Sequence, residues 1–163
     1  MPVGRTLQTL KITNPIRPQA QVDNDDPVGA KDDANPVAID TIGFNSCCVL
    51  WSLGASDVAP VEMNVFECDT SGGTYTEIGG VDWKDDTILT PTTDDNVMYA
   101  TYLDLRDKKR YLKIDSTMGD GSNGTYITVH VILADPDIVP NTAAERGLQA
   151  ECIDGTFAGT AGA

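Results

Sequence analysis

From Tyr126 to Val131 apolar and polar side chains take turns, with Ile127, Val129 and Val131, and Leu133 beyond them, alternating with Tyr126, Thr128 and His130. A period of two puts each set on its own face of an extended strand, a pattern that no helix satisfies. The same period runs just upstream, where Arg110, Leu112 and Ile114 alternate with Tyr111, Lys113 and Asp115. Between the two runs Gly119, Asp120, Gly121, Ser122, Asn123 and Gly124 supply tight-turn chemistry. Residues 109–136 therefore read as a β-hairpin.

Shorter runs of the same kind fill the middle of the chain. Residues 37–43 (VAIDTIG) and 46–54 (SCCVLWSLG) read as strands, the second apolar on both faces with Trp51 as its core anchor. In residues 61–68 (VEMNVFEC), Val61, Met63 and Val65 alternate with Glu62, Asn64 and Phe66. The turn Thr70, Ser71, Gly72, Gly73 and a return strand over 74–78 make this a second hairpin. Residues 97–103 (VMYATYL) add a strand with Tyr99 and Tyr102 on opposite faces, whereas Trp83, Ile88 and Leu89 lie in a loop-rich stretch. About eight short strands at turn spacings of roughly 8–12 residues, with no helical period among them, predict an all-β fold, a sandwich or barrel in a single domain.

A chain of 163 residues is long enough for one good core. The expected division is an extended N-terminal arm over 1–36, a sandwich core over 37–136 and an irregular C-terminal tail over 137–163. Pro2, Pro15, Pro18, Pro27 and Pro36 break up the arm, and Asp23, Asn24, Asp25, Asp26, Asp32 and Asp33 favour turns. Fully extended, such an arm reaches roughly 120 Å. Leu7, Leu10, Ile12 and Ile16 give it apolar positions, and residues 6–13 can add as a strand to an exposed sheet edge. In the tail, residues 142–150 (TAAERGLQA) predict a short capped helix interrupted by Gly147.

The net charge is −14, so phosphate contacts and hence nucleic-acid partners are disfavoured. The charge is uneven: the first 22 residues hold Arg5, Lys11 and Arg17 and no acid, leaving −17 on the remainder. Two readings fit: an arm that seeks an acidic protein surface, either a neighbour's or its own chain's, or an ordinary flexible terminus with three solvated charges. No apolar run approaches the ~20 residues of a membrane span. The first residues, MPVGRTLQTLKITNP, lack the apolar stretch of a secretory signal, so the expectation is a protein made and used without export.

Little in the sequence points to reaction chemistry. His130 is the single histidine, and no GxSxG motif accompanies it, so a half-exposed strand residue is the favoured reading. The many acids fall in turns, where they serve geometry and solubility. Two loops, Asp120 to Gly124 and Asp23 to Asp26, are rich in oxygen ligands but lack the spacing of a calcium-binding loop. There is no phosphate-binding glycine motif. Cys47 and Cys48 are adjacent on a strand and point to opposite faces, and Cys68 and Cys152 complete no CxxC pair, so the default is four reduced thiols. A disulfide at Cys68 or Cys152 stays open for an oxidising medium. Neither a cofactor nor an enzymatic activity is expected. Tyr75, Trp83, Tyr99, Tyr102 and Tyr126 keep a second class open, a carbohydrate-binding module that stacks sugars on aromatic rings.

Three segments, SCCVLWSLG, VEMNVFECDTSGGTYTEIGG and KRYLKIDSTMGDGSNGTYITVHVILADP, follow one another in an order that resembles the decoration or cement proteins of tailed-bacteriophage heads. The likeness lies in the glycine-rich turn with its TYTEI return, the KRYLKI strand, and a closing Gly-Thr-x-Ile-x-Val-x-Val strand ended by proline. It covers residues 46–136 and leaves both terminal segments unmatched; the Cys47–Cys48 pair and the long tail are departures from the pattern. The resemblance implies a single β-sandwich or jelly-roll-like domain and a non-enzymatic virion protein, made in the host cytoplasm. It implies copies, often trimers, that bind the major capsid protein on the capsid exterior and stiffen the shell. The arm is the expected contact, through Arg5, Leu7, Leu10, Lys11, Ile12, Ile16 and Arg17.

Overall fold

In the computed structural model the described residues are 9–21, 26–55, 60–81, 83–84, 96–117, 125–140, 142–149, 151–153 and 156–158. They form strands and turns, with no helix among them. In chain order the strands are β1 (Lys11–Gln21), β2 (Ile39–Asp40), β3 (Phe44–Leu53), β4 (Glu62–Cys68), β5 (Thr76–Glu77) and β6 (Trp83–Lys84). There follow β7 (Met98–Asp104), β8 (Tyr111–Thr117), β9 (Thr125–Pro136), β10 (Glu151–Ile153) and β11 (Thr156–Ala158).

Two antiparallel sheets carry the fold. The first has the order β1-β9-β3-β7, and the second has β2-β8-β4-β5 with the short β6 also on β4. Their inner faces share one core, a β-sandwich arrangement: Val49, Trp51, Val129 and Val131 from the first sheet and Met63, Val65, Leu112 and Ile114 from the second are fully buried. β-Branched side chains dominate because they pack well on a pleated surface. Each such burial contributes about 1.5–3 kcal/mol. Trp83 ties the sheets together as well: its indole Nε1 donates to Thr101 Oγ1 of β7 at 3.0 Å.

The hairpin expected over residues 109–136 does not form. β8 pairs with β2 and β4 in the second sheet, while β9 pairs with β1 and β3 in the first, so the chain crosses between layers where a turn was expected. Both strands bury one apolar face, and alternation alone does not say which neighbour completes the ladder. The connecting residues 118–124 lie outside the described residues. The hairpin of β4 with the return strand is present, with Phe66 opposite Glu77 and Glu67 opposite Thr76.

The N-terminal segment also departs from expectation. A strand does add to a sheet edge, but it is the chain's own edge, and it spans Lys11–Gln21 where residues 6–13 were expected. Pro15 and Pro18 are tolerated because β1 is an edge strand whose register shifts twice, between Thr13 and Ile16 and between Ile16 and Gln19. Ile16 is completely buried. Residues 26–37 then cross from β1 to β8 as a strap, and of the strand expected over 37–43 only Ile39–Asp40 is realised. Gly29 is required in the strap: its φ is +97°, and a Cβ there would stand 2.1 Å from the Pro15 carbonyl oxygen.

The tail is partly built. Thr142 and Glu145 form the capping box, with Thr142 N donating to Glu145 Oε2 at 3.0 Å and Glu145 N to Thr142 Oγ1 at 3.2 Å. The expected helix stops after that single turn, at Gly147 with φ +76°. A Cβ on Gly147 would lie 1.9 Å from Ile12 O, and Arg146 O accepts from Ile12 N at 2.8 Å, so this turn is seated against β1. Beyond it β10 and β11 form a small ladder that no sequence signal announced.

Candidate docking surface

The outer face of the first sheet is built by the same alternation that fills the core. Because Val49, Trp51, Val129 and Val131 point inward, their strand neighbours point outward. The ladder registers align them in rows: Tyr102, Cys48, Ile132 and Ile12; Ala100, Leu50 and His130; Met98, Ser52 and Thr128. None of these ten side chains is Asp, Glu, Lys or Arg. Tyr102 and Met98 are 77% and 62% exposed, and Tyr126 at the strand end is exposed as well. On a chain of net charge −14, such a face is unusual in composition.

Charge returns at the rim. Arg17 is exposed on β1. At the opposite margin Asp104 is clamped by Arg106, whose Nε donates to Oδ1 at 2.9 Å and whose Nη2 donates to Oδ2, and this guanidinium holds the carboxyl down at about 2. Asp135 accepts from Ser46 Oγ at 2.9 Å, and Asn45 Nδ2 donates to Asp137 Oδ1 at 3.1 Å. The face thus has an apolar and uncharged centre with charges of both signs around it, the usual anatomy of a protein–protein contact.

The face does not assemble a nucleophile. His130 and Cys48 are diagonal neighbours across β9 and β3. Burial pushes the Cys48 thiol up, opposed by a hydrogen bond with Tyr102, so it is not the thiolate that a cysteine nucleophile requires. Cys47, on the inner face, is pushed up to about 12 by burial and is inert. Cys68 is buried and free, and Cys152 has no described side chain.

The five aromatics considered for sugar stacking do not form one platform. Trp83 and Tyr99 pack against each other with ring centroids 4.9 Å apart and planes tilted by 56°, and Tyr75 carries the Lys113 ammonium 4.4 Å above its ring. Tyr102 and Tyr126 are the two that project outward.

The arm residues expected to bind a partner are dispersed. Ile16 points into the core, Leu10 and Lys11 are half-buried, and Ile12 and Arg17 reach the outer face and its rim. Arg5 and Leu7 lie outside the described residues. Lys11 instead borders a groove of about 570 Å³ at one end of the sandwich, with Ile42, Phe44, Ile138 and Val139. Ile138 there is 83% exposed.

Of the two loops considered for calcium, residues 118–124 and 23–25 lie outside the described residues. Asp26 instead meets Asp32 and Asp115, their carboxylate oxygens within 4.8 Å of one another. The Lys31 ammonium sits among them, paired with Asp32 and 3.3 Å from Asp115 Oδ2, and so takes the place a cation would occupy. No sequence motif marks this group, because it joins a strap to a strand more than eighty residues away.

No family model matches this chain, and no curated protein matches it.

Proposed function

We propose that this protein is a decoration, or cement, protein of a tailed-bacteriophage head, docking on the capsid exterior and stabilising the shell. The observation that carries this reading is the uncharged centre of the first sheet's outer face on an otherwise acidic molecule. A net −14 body is repelled by packaged DNA and suits the outside of a shell. A capsid exterior is met without charge desolvation only through a face such as that of Leu50, Tyr102, His130 and Ile132. The succession of sequence segments over residues 46–136 supports the class, and within the two-sheet architecture the finer reading is a jelly-roll-like path. The partner is the major capsid protein, the copies act as a homo-oligomer with a trimer favoured, and many weak contacts on one lattice add avidity. No nucleic acid, membrane or cofactor enters this reading.

The test is co-sedimentation of purified protein with shells of the major capsid protein encoded beside its gene. Saturable binding is expected, lost in Leu50→Glu and Tyr102→Glu and retained after removal of residues 1–8. Full decoration by both face variants would overturn the docking face. Binding to host glycans in place of shells would replace the reading with the carbohydrate-binding one.

A further inference from the structure

Residues 26–37 bridge the two sheets along one open edge of the sandwich. On the first sheet the Gln19 side-chain amide grips Val28 twice, accepting from its N–H at 2.9 Å and donating to its carbonyl at 3.1 Å. On the second sheet Lys31 N donates to Ile114 O at 2.8 Å, and Thr117 Oγ1 donates to Asp26 Oδ1 at 3.0 Å. Between these backbone anchors lie three carboxylates, Asp26, Asp32 and Asp115, with one ammonium, Lys31, which also rests 4.5 Å above the Phe66 ring. Asp115 is 2% exposed. Among the described residues this sets three carboxylates against one ammonium, half covered by protein, an imbalance that a single proton reduces.

We propose that this strap is a proton-linked latch: uptake of one proton by the Asp26, Asp32 and Asp115 cluster tightens the hold of residues 26–37 on β8. The group that takes the proton is Asp115. Its neighbours on the strap are Asp26, Lys31 and Asp32; across the ladder on β4 it faces Asn64, with Glu62 and Phe66 diagonal; on its own strand the same face carries Lys113 and Thr117. Lys113 is turned to the Tyr75 ring. Burial, the largest influence, together with Asp32 and Asp26, outweighs the attraction of Lys31 and raises the carboxyl from 3.8 to about 6. A carboxyl raised in the closed strap binds its proton more tightly there than in an opened one, where water restores the ordinary value. Closure is therefore favoured as pH falls through 6 toward 4, and weakened above that window. Opening would bare the Ile114 carbonyl and the adjoining edge of β8, which is a site for strand addition.

Hydrogen exchange followed by mass spectrometry on the full chain tests this, with rates corrected for intrinsic exchange at each pH. Strap amides, including that of Lys31, are expected to be roughly tenfold better protected at pH 5 than at pH 7.5. The difference should vanish in Asp115→Asn and shrink in Asp32→Asn, which keeps the buried carboxyl should the first variant fold poorly. A carboxyl carbon NMR titration of the unaltered protein is expected to place Asp115 near pH 6. Protection that does not change with pH, that rises with pH, or that keeps its dependence in Asp115→Asn would overturn the latch. None of these outcomes depends on whether the protein binds a capsid.

Discussion

At the middle of the first sheet the outward side chains are Leu50, Ala100 and His130; at the matching depth of the second they are Asn64, Asp115, Phe66 and Lys113. The first set is left open to solvent by every described segment. The second is roofed by residues 26–37, with Asn64 completely buried and Lys31 laid across it. Polar and charged groups on a sheet face are held by further chain that hydrogen-bonds and pairs them. An apolar, uncharged face needs no such cover for solvation, and remains available to another molecule. One outer face of the sandwich is thus covered by the chain's own strap, and the other is left bare by the described residues.

That contrast depends on β1 and the strap being parts of the domain and not an appendage, and the largest expected effect tests this point. Ile16→Ala removes a completely buried side chain between β9 and the core and should cost about 2–4 kcal/mol. Urea unfolding reads it as a lowered midpoint. A midpoint within error of the unaltered protein would return residues 11–21 to the status of a detachable arm.

Next in size is the titration of the roofed face. Asp115 stands about two pKa units above its ordinary value, so its ionisation opposes folding. The folded state binds the extra proton between pH 4 and 6, so this contribution to stability is complete near pH 4 and is lost as pH rises through 6. The change is about 3 kcal/mol. Other acids superimpose their own dependence; the difference between unaltered protein and Asp115→Asn isolates this one. The variant's unfolding free energy should lack this fall between pH 4 and 7, and an unchanged difference curve would show that the strap does not raise Asp115.

A smaller effect lies between the sheets. Thr101→Val preserves shape but removes the acceptor of the Trp83 indole, leaving a half-buried donor unpaired at a cost of about 1 kcal/mol. Thermal unfolding should register a drop of a few degrees. No change would mean that the indole finds water and that Trp83 is less tied to the core than its packing against Tyr99 indicates.

How far all this was legible in the sequence differs by range of interaction. Strand identity and facing were readable wherever the period of two was clean: Val129 and Val131 in, Thr128 and His130 out, and Trp51 in the core. The partner of each strand was not, because β8 and β9 have equally good apolar faces and a glycine-rich connection serves a crossover as well as a hairpin. Pro15 and Pro18 argued against a strand at residues 11–21 through their missing donors; an edge position with two register shifts removes that objection, but edge status is a property of the whole sheet. The uncharged face was written in the alternation of β3 and β9 yet becomes visible only when ladder registers place Cys48, Tyr102, Ile132 and Ile12 side by side. The Asp26, Asp32 and Asp115 group had no local signal at all.

The smallest effect on stability belongs to the bare face, and there the comparison between the two faces is sharpest. Tyr102 is 77% exposed, so Tyr102→Glu should shift unfolding by no more than about 0.5 kcal/mol. If the face docks a partner, the same change buries an unpaired carboxylate in the contact and abolishes binding. Cys48, beside Tyr102, gives an independent readout that leaves the face intact. Its thiol is raised by burial, so alkylation should be slower than for a free cysteine but measurable, while Cys47, pushed up to about 12, stays unmodified. Bound to a shell, Cys48 should lose its residual reactivity, because the contact covers the row it occupies. Equal alkylation rates for free and shell-bound protein would place the contact elsewhere, with the apolar groove of Ile42, Ile138 and Val139 as the next surface to test.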